Sequence, residues 1–301
     1  MSGYKYLFGP VPSRRLGASL GVSPIPERTC NYSCVYCQLG RTLRMTNTRQ
    51  EFFPLEEILA EFREYLRGSI PFDVVTVVGE GEPTLYSRLG ELIAGLKKET
   101  DKPVAVITNG ALLYDAEMRR ELMEADIVLP SLDAVTEEQY RKIDRPMGSI
   151  GFAEMAEGLR QFAREYQGQL WIEIMLVDGM NDSPEDIAAF KEFLGTIDYD
   201  RVYLNTPVRP PAEGFVHTSA PERIDLAARE LGGISIDQLT SGSFFSEVED
   251  PYEAILSIAR RHPMNQFEVE SFLEAREIPA DQRQALMERL GQDPGITVVP
   301  Y

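Results

Sequence analysis

Between residue 19 and about residue 210 the chain repeats one pattern six times: a short apolar, β-branched run, then turn residues or an amphipathic stretch. Residues 72–79, 104–110, 127–133, 170–177 and 201–207 read as strands, and a shorter run at 19–24 is ended by Pro24 and Pro26. Apolar residues at helical spacing mark helices over 55–66, 89–98, 118–123 and 152–166, and Asp182-Ser183-Pro184-Glu185 carries the capping signals of another. Near-continuous apolar strands are buried on both faces, as in a parallel sheet with helices outside it. Six strands are too few to close the eight-stranded barrel. The sequence therefore predicts an α/β fold, a partial (open) six-stranded β/α parallel barrel.

Barrels of this kind place their chemistry at the carboxyl ends of the strands. Those ends carry small polar side chains here. Thr108, Asn109, Ser131 and Asp133 are placed to reach a ribose hydroxyl or a carboxylate, against the plainer reading that Asn109 and Asp133 cap turns. Asn205 and Arg209 fall where a ligand at the barrel mouth would be met. Glu173 lies inside an apolar run, so it has to face the mouth or pair with a basic residue.

Outside the repeat the chain changes character. The opening stretch from Phe8 to Gly17 reads as turn formers around the paired Arg14 and Arg15, which could hold an anionic group or simply lie on the surface. Residues 220–246 read as loop or linker, with Gly232-Gly233 among them. Helices are expected over 252–261, 265–273 and 281–290, then a short strand at 296–299, a pattern similar to a winged-helix module. The expected division is a barrel domain over 1–246 and a helical C-terminal domain over 247–301. The tail is read as a lid or partner-docking element, with a small bundle capping the open barrel edge as the plainer alternative. Its glutamate-rich helices make duplex DNA an unexpected partner.

Chemistry concentrates in one loop. All 3 cysteines lie at Cys30, Cys34 and Cys37, spaced C-x3-C-x2-C. Thiolates this close can converge on one soft metal centre, and three of them leave a coordination position open. Structural zinc is the first alternative, with His217 as the missing fourth ligand. A disulfide plus a free thiol, or three inert buried cysteines, are the others. A chain of 301 residues at 43% hydrophobic composition has no apolar run long enough to span a bilayer and no leader pattern at Met1, so it is expected to be cytoplasmic, where thiols stay reduced. A net charge of −18 disfavours a polyanionic partner such as RNA without excluding a local basic patch.

The cysteine spacing, with Tyr36 just before the last thiol, resembles the signature of the radical S-adenosylmethionine (radical SAM) enzymes. That resemblance implies a [4Fe–4S] cluster with three irons on Cys30, Cys34 and Cys37 and S-adenosylmethionine on the fourth iron. Tyr36 would then pack near the adenine. The turn Gly81-Glu82-Pro83 is similar to the family's glycine–glutamate motif, which holds the methionine amino group; Glu80 occupies the place of its first glycine. Cofactor-binding candidates are thus Tyr36, Gly81, Glu82, Thr108, Asn109, Ser131, Asp133, Glu173 and Asn205, and substrate candidates Arg14, Arg15, Arg145 and Arg209. Residues 8–22, 81–86 and 138–146 further resemble a bacterial subgroup related to the wyosine-forming enzymes of tRNA modification. No second cysteine group is present, which argues against members with an auxiliary cluster. The resemblance also implies an electron donor of flavodoxin or ferredoxin type and hydrogen abstraction from an RNA base, a peptide or a small molecule. Two other classes stay open: a redox or iron-sensing regulator with the tail as its output, and a zinc-stabilised binding protein.

Overall fold

The computed structural model describes residues 4–13, 15–68, 70–236, 248, 250–259, 264 and 266–296. Six parallel strands run in sequence order: β2 (Gly17–Val22), β5 (Val74–Val77), β6 (Val104–Thr108), β7 (Ile127–Pro130), β8 (Gln169–Met175) and β9 (Arg201–Asn205). They form the expected curled, open sheet. Two strands extend it. β1 (Leu7–Ser13) pairs antiparallel with β2, and the short β10 (Ile234–Ser235) pairs parallel with β9. A two-stranded ladder of β3 (Thr29–Cys30) and β4 (Arg44–Met45) stands apart from the main sheet.

Two departures from the sequence reading have physical causes. The opening stretch, read as turns, is a strand, because its prolines sit on a sheet edge where their missing N–H groups cost nothing. Its register breaks between Phe8 and Val11, where Gly9 adopts φ 91. Part of the presumed linker is helix α7 (Pro221–Leu231), with Pro221 in the first turn and the αL cap Gly232 at φ 63. Only Ile224, Ala227 and Leu231 of it are buried, too thin a stripe to stand out beside the Gly232-Gly233 pair.

Helices α1 (Leu55–Tyr65), α2 (Leu89–Glu99), α3 (Ala116–Leu122), α4 (Glu137–Ile143), α5 (Phe152–Glu165) and α6 (Pro184–Leu194) fill the crossovers. Ser183 and Asp186 form the capping box of α6. Alternate strand residues divide the core into two layers. Leu20, Val22, Val75, Val77, Val104, Val106, Ile172 and Ile174 pack outward against Ile58, Phe62, Leu92 and Phe162 of the helices. Val74, Ala105, Leu129, Trp171 and Tyr203, with Leu16 from the β1–β2 turn, fill the concave side.

The tail provides α8 (Pro251–Ala259), α9 (Gln266–Ala275) and α10 (Ala280–Gly291), close to the helices expected. Ile296 is not in a strand, and the rest of the expected wing, residues 297–299, lies outside the described residues. Tyr252, Ile255, Phe272, Leu273 and Leu290 share a cluster with Val11, and Phe8 packs against it. Phe8 pairs with Gly21 and Val11 with Ser19, so these contacts lie on the concave face of β1. The Phe8 ring occupies the space a Gly21 side chain would need. From the other edge, Arg209 reaches Glu268 of α9 at 3.5 Å. The helical tail thus touches both sides of the barrel's open gap. No helix among the described residues is long and apolar enough to cross a membrane.

Candidate cofactor site at the carboxyl ends of the strands

The cysteine loop leaves β3 above the strand ends and is held on both flanks by backbone. On one flank Ser33 N donates to Asp144 O at 3.1 Å and Val35 N to Ile143 O at 2.9 Å, while Met147 N donates to Asn31 O at 2.8 Å. These bonds dock the loop on the end of α4. On the other flank Arg28 N donates to Glu80 O at 2.5 Å and Glu82 N to Thr29 O at 3.0 Å. Gly81 lies between, and a Cβ there would stand 1.8 Å from Thr29 O, so glycine is required for the approach.

The three thiols are half-buried and free of any disulfide. Cys30 Sγ accepts from Tyr32 N at 3.3 Å and from Asn109 Nδ2 at 3.6 Å. Cys34 Sγ lies 3.8 Å from Asp144 Oδ1. Burial pushes the Cys30 thiol up to about 12, with Glu82 adding to the shift. Burial likewise raises Cys34 well above its ordinary value, helped by Asp144, and raises Cys37. Such thiols stay protonated until a metal charge replaces the proton, after which the two N–H donors on Cys30 face a thiolate. Among the described residues no three His, Cys, Asp or Glu side chains gather around a single ion-sized point. His217 is exposed.

Glu82 is buried and accepts four hydrogen bonds. Its Oε1 accepts from Thr84 N at 3.0 Å and from the hydroxyls of Thr84 and Thr108, both at 2.6 Å; Oε2 accepts from Asn109 N at 2.8 Å. Burial still raises its pKa, against those four donors. Its carboxylate fastens the end of β5 to the end of β6. Asn109 continues the chain of contacts, with Nδ2 2.7 Å from Asn31 Oδ1. Ser131 N donates to Thr108 O at 3.0 Å, so Thr108, Asn109 and Ser131 all lie beside the thiols or the Glu82 tether.

Asp133 and Tyr36 meet directly: the phenol donates to Asp133 Oδ2, and Met175 N donates to Oδ1 at 2.7 Å. Burial lifts Asp133 to about 6 despite these donors. Glu173 pairs with Arg15 and accepts from Asn205 Nδ2 at 3.2 Å. Of the two readings offered for Glu173, pairing with a basic residue is the one found. Arg15 reaches it from the β1–β2 turn, beneath the strand ends; burial lowers the guanidinium to about 10, which leaves it a cation at neutral pH. Arg145 binds Glu213 at 2.5 Å and Arg209 meets Glu268, so each has a carboxylate partner. Arg14 lies outside the described residues.

Several site residues carried no signal in the sequence. Asp144, 2% exposed beside Cys34, sits in a stretch singled out only for its resemblance. Glu213, 6% exposed, binds Arg41 through both oxygens at 2.9 and 2.8 Å, binds Arg145, and donates its backbone N–H to Val35 O at 3.1 Å. It clamps the far side of the cysteine loop from 172 residues away, and no local pattern could announce that. Tyr32 and Tyr140 hydroxyls pair at 2.5 Å under the loop.

An open β/α barrel with a three-thiol centre at its strand ends defines a class of metallocofactor enzyme. The chain belongs to the Radical SAM superfamily, whose sequence model matches residues 25–191, and its cofactors are those of that superfamily, a [4Fe–4S] cluster and S-adenosylmethionine. It is 34% identical over 285 residues to the UPF0026 protein of Methanocaldococcus jannaschii, covering 91% of this chain and 88% of that one. It is 43% identical over 205 residues to a Brachyspira hyodysenteriae protein named GTPase Obg, covering 68% of this chain but only 30% of that longer protein. Among solved structures, a radical SAM methyltransferase from Sphaerobacter thermophilus shares the fold, with a TM-score of 0.55 at 18% identity over 73% of this chain and 68% of that one.

Proposed function

We propose that Cys30, Cys34 and Cys37 hold the cluster and that the strand-end residues around them seat S-adenosylmethionine for hydrogen abstraction from a small substrate. The carrying observation is three half-buried thiols, free of disulfides, on one loop at the strand ends, with two N–H donors facing Cys30. Bound there, the cofactors supply one-electron cleavage of the sulfonium to methionine and a 5′-deoxyadenosyl radical. This chain's residues orient and exclude water. Tyr36, fixed by Asp133, presents its ring beside the thiols. Glu82 acts by holding the β5 and β6 ends in register, and the half-buried Glu80–Gly81 turn beside it stands next to the methionine end. Thr108, Asn109, Ser131, Asp133 and Asn205 line the same rim.

The substrate sits deeper in the concave side, where Arg15, Glu173 and Asn205 form a polar group above the apolar layer of Trp171 and Tyr203. Arg15 suits an anionic group on it. A small molecule is favoured over a macromolecule because helices α8, α9 and α10 pack against β1 and meet Arg209 on the two sides of the open gap, as a lid. The test is low-temperature EPR of anaerobically reconstituted, reduced protein. A [4Fe–4S]+ signal that shifts on adding S-adenosylmethionine, and is lost in Cys30→Ser, Cys34→Ser and Cys37→Ser, is expected. A cluster signal indifferent to S-adenosylmethionine would favour the sensor, and bound zinc without a cluster would sink the enzyme reading.

A further inference from the structure

The described residues expose five large hydrophobic side chains: Leu43, Met45, Tyr199, Phe215 and Ile234. Three of them gather at the cysteine loop. Leu43 is 69% exposed, Met45 41% and Phe215 55%. Met45 is the β4 residue in register with Cys30, and Thr46 N donates to Cys30 O at 3.1 Å. Leu43 N and Arg44 N both donate to Arg28 O, at 3.0 and 3.1 Å. Phe215 joins them through Glu213, which binds Arg41 and Arg145, the latter lying 5.9 Å over the Phe215 ring.

The same segment is anomalous in charge. From Arg28 to Gln50 the chain carries four arginines and no Asp, Glu or Lys, within a protein of net charge −18. Arg41 and Arg145 share the one carboxylate of Glu213, and Arg44 lies over the Phe52 ring at 5.4 Å. Exposed apolar side chains ringed by guanidiniums are the composition of a protein-docking patch. Arg28 pairs with the adjacent Glu27 at 3.3 Å, so the four guanidiniums of Arg28, Arg41, Arg44 and Arg145 outnumber the two carboxylates, Glu27 and Glu213, that pair with them; an approaching partner meets this local excess, since charge beyond about 8 Å is screened at physiological salt.

We propose that Arg28, Arg41, Leu43, Arg44, Met45 and Phe215 form the docking face for a small acidic electron-carrier protein. The proposal rests on the reading that the three thiols hold a redox cluster. The exposed strand β4 is hydrogen-bonded neighbour to the strand bearing Cys30, so a docked carrier stands about one strand spacing, ~5 Å, from that strand. One electron leaves the reduced flavin or iron–sulfur group of the carrier and enters the centre; no atom is exchanged, and the carrier departs oxidised by one electron. RNA is the competing polyanion. It would engage the arginines and stack on Phe215, but has no use for the aliphatic Leu43 and Met45, since single strands are gripped by stacking on aromatic rings.

The experiment uses the full-length reconstituted protein with oxidised flavodoxin, and in parallel a plant-type ferredoxin, as probes in a surface-binding measurement. At least one carrier is expected to bind, several-fold more weakly at about 200 mM than at about 50 mM salt. The doubly substituted Leu43→Glu/Arg44→Glu protein should bind it about tenfold more weakly, whereas Lys98→Glu on α2 changes affinity less than twofold. Equal binding by the double variant, equal loss in Lys98→Glu, or no binding of either carrier overturns the proposal. So does an RNA oligonucleotide that binds and loses affinity in the double variant when the carriers do not. EPR of the dithionite-reduced variant separates the two readings. A retained S-adenosylmethionine shift with unaltered carrier binding removes the docking face alone; no cluster in the unsubstituted protein removes the reading beneath it.

Discussion

Two buried carboxyl groups flank the cysteine loop, and they are treated in opposite ways. Glu82, on the β5–β6 side, is 2% exposed and accepts four hydrogen bonds. Asp144, on the α4 side, is equally buried at 2%, and the donor facing it is the Cys34 thiol at 3.8 Å. Burial raises both, but Asp144 rises well above the ordinary range, with the neighbouring Asp133 adding to the effect. A carboxylate wrapped in donors is a structural anion that ties two strand ends together. A carboxyl group left with a weak donor is pushed toward its neutral form. One flank is therefore a rigid frame, and the other is a site whose charge state follows its surroundings.

Removing the frame should have the largest effect. Glu82→Ala strands two backbone N–H groups and two hydroxyls, and urea unfolding of the metal-free protein should show a loss of about 4 kcal/mol. Glu82→Gln, which keeps an acceptor oxygen, should lose less. Equal stability of Glu82→Ala and the parent would break the comparison. Gly81→Ala forces a Cβ against Thr29 O on the same flank; a cost of about 3 kcal/mol is expected, with iron uptake per chain falling because Cys30 moves with Thr29.

On the other flank the signature is pH. Asp133 has a folded pKa of about 6 against an ordinary 3.8, so between these values the folded state holds a proton that the unfolded state releases. Stability of the metal-free protein should fall as pH rises from about 4 to about 6, by about 2 kcal/mol, then level off. Asp133→Asn should flatten that slope; an unchanged slope would assign it elsewhere. Asp144→Asn, a near-isosteric amide fixed in the uncharged form that burial favours, should move stability by less than about 1 kcal/mol at pH 7. A large loss in the melting curve would mean that Asp144 carries a charge, and the contrast with Glu82 would collapse.

These flanks differ in how far the sequence disclosed them. The six strands and the thiol spacing are local features, and each was legible from a handful of adjacent residues. Glu82, Thr108 and Asn109 stand at strand ends, so their position was legible too, though not that they bind one another. Asp133 was legible as a strand-end polar group, but its raised pKa depends on packing around it. Glu213 and Arg41 are 172 positions apart and meet only because β9 returns the chain over the cysteine loop. The β1 edge was misread because Gly9, Pro10 and Pro12 speak for turns, and an edge strand is where the ladder tolerates them.

The helical tail packs on the concave face of β1, so this strand is covered only by helices made long after it. On the ribosome, Phe8 and Val11 emerge early and have no cover until Tyr252 to Leu290 follow. The nascent barrel therefore carries an uncovered apolar face beside its β1 edge throughout that interval, a condition that invites strand-to-strand association with other chains. Pro10 and Pro12 in that strand, and the break in its register, act as guards during this interval. A chain cut after residue 250 would keep every thiol and every strand end, yet would be exposed to aggregation for life.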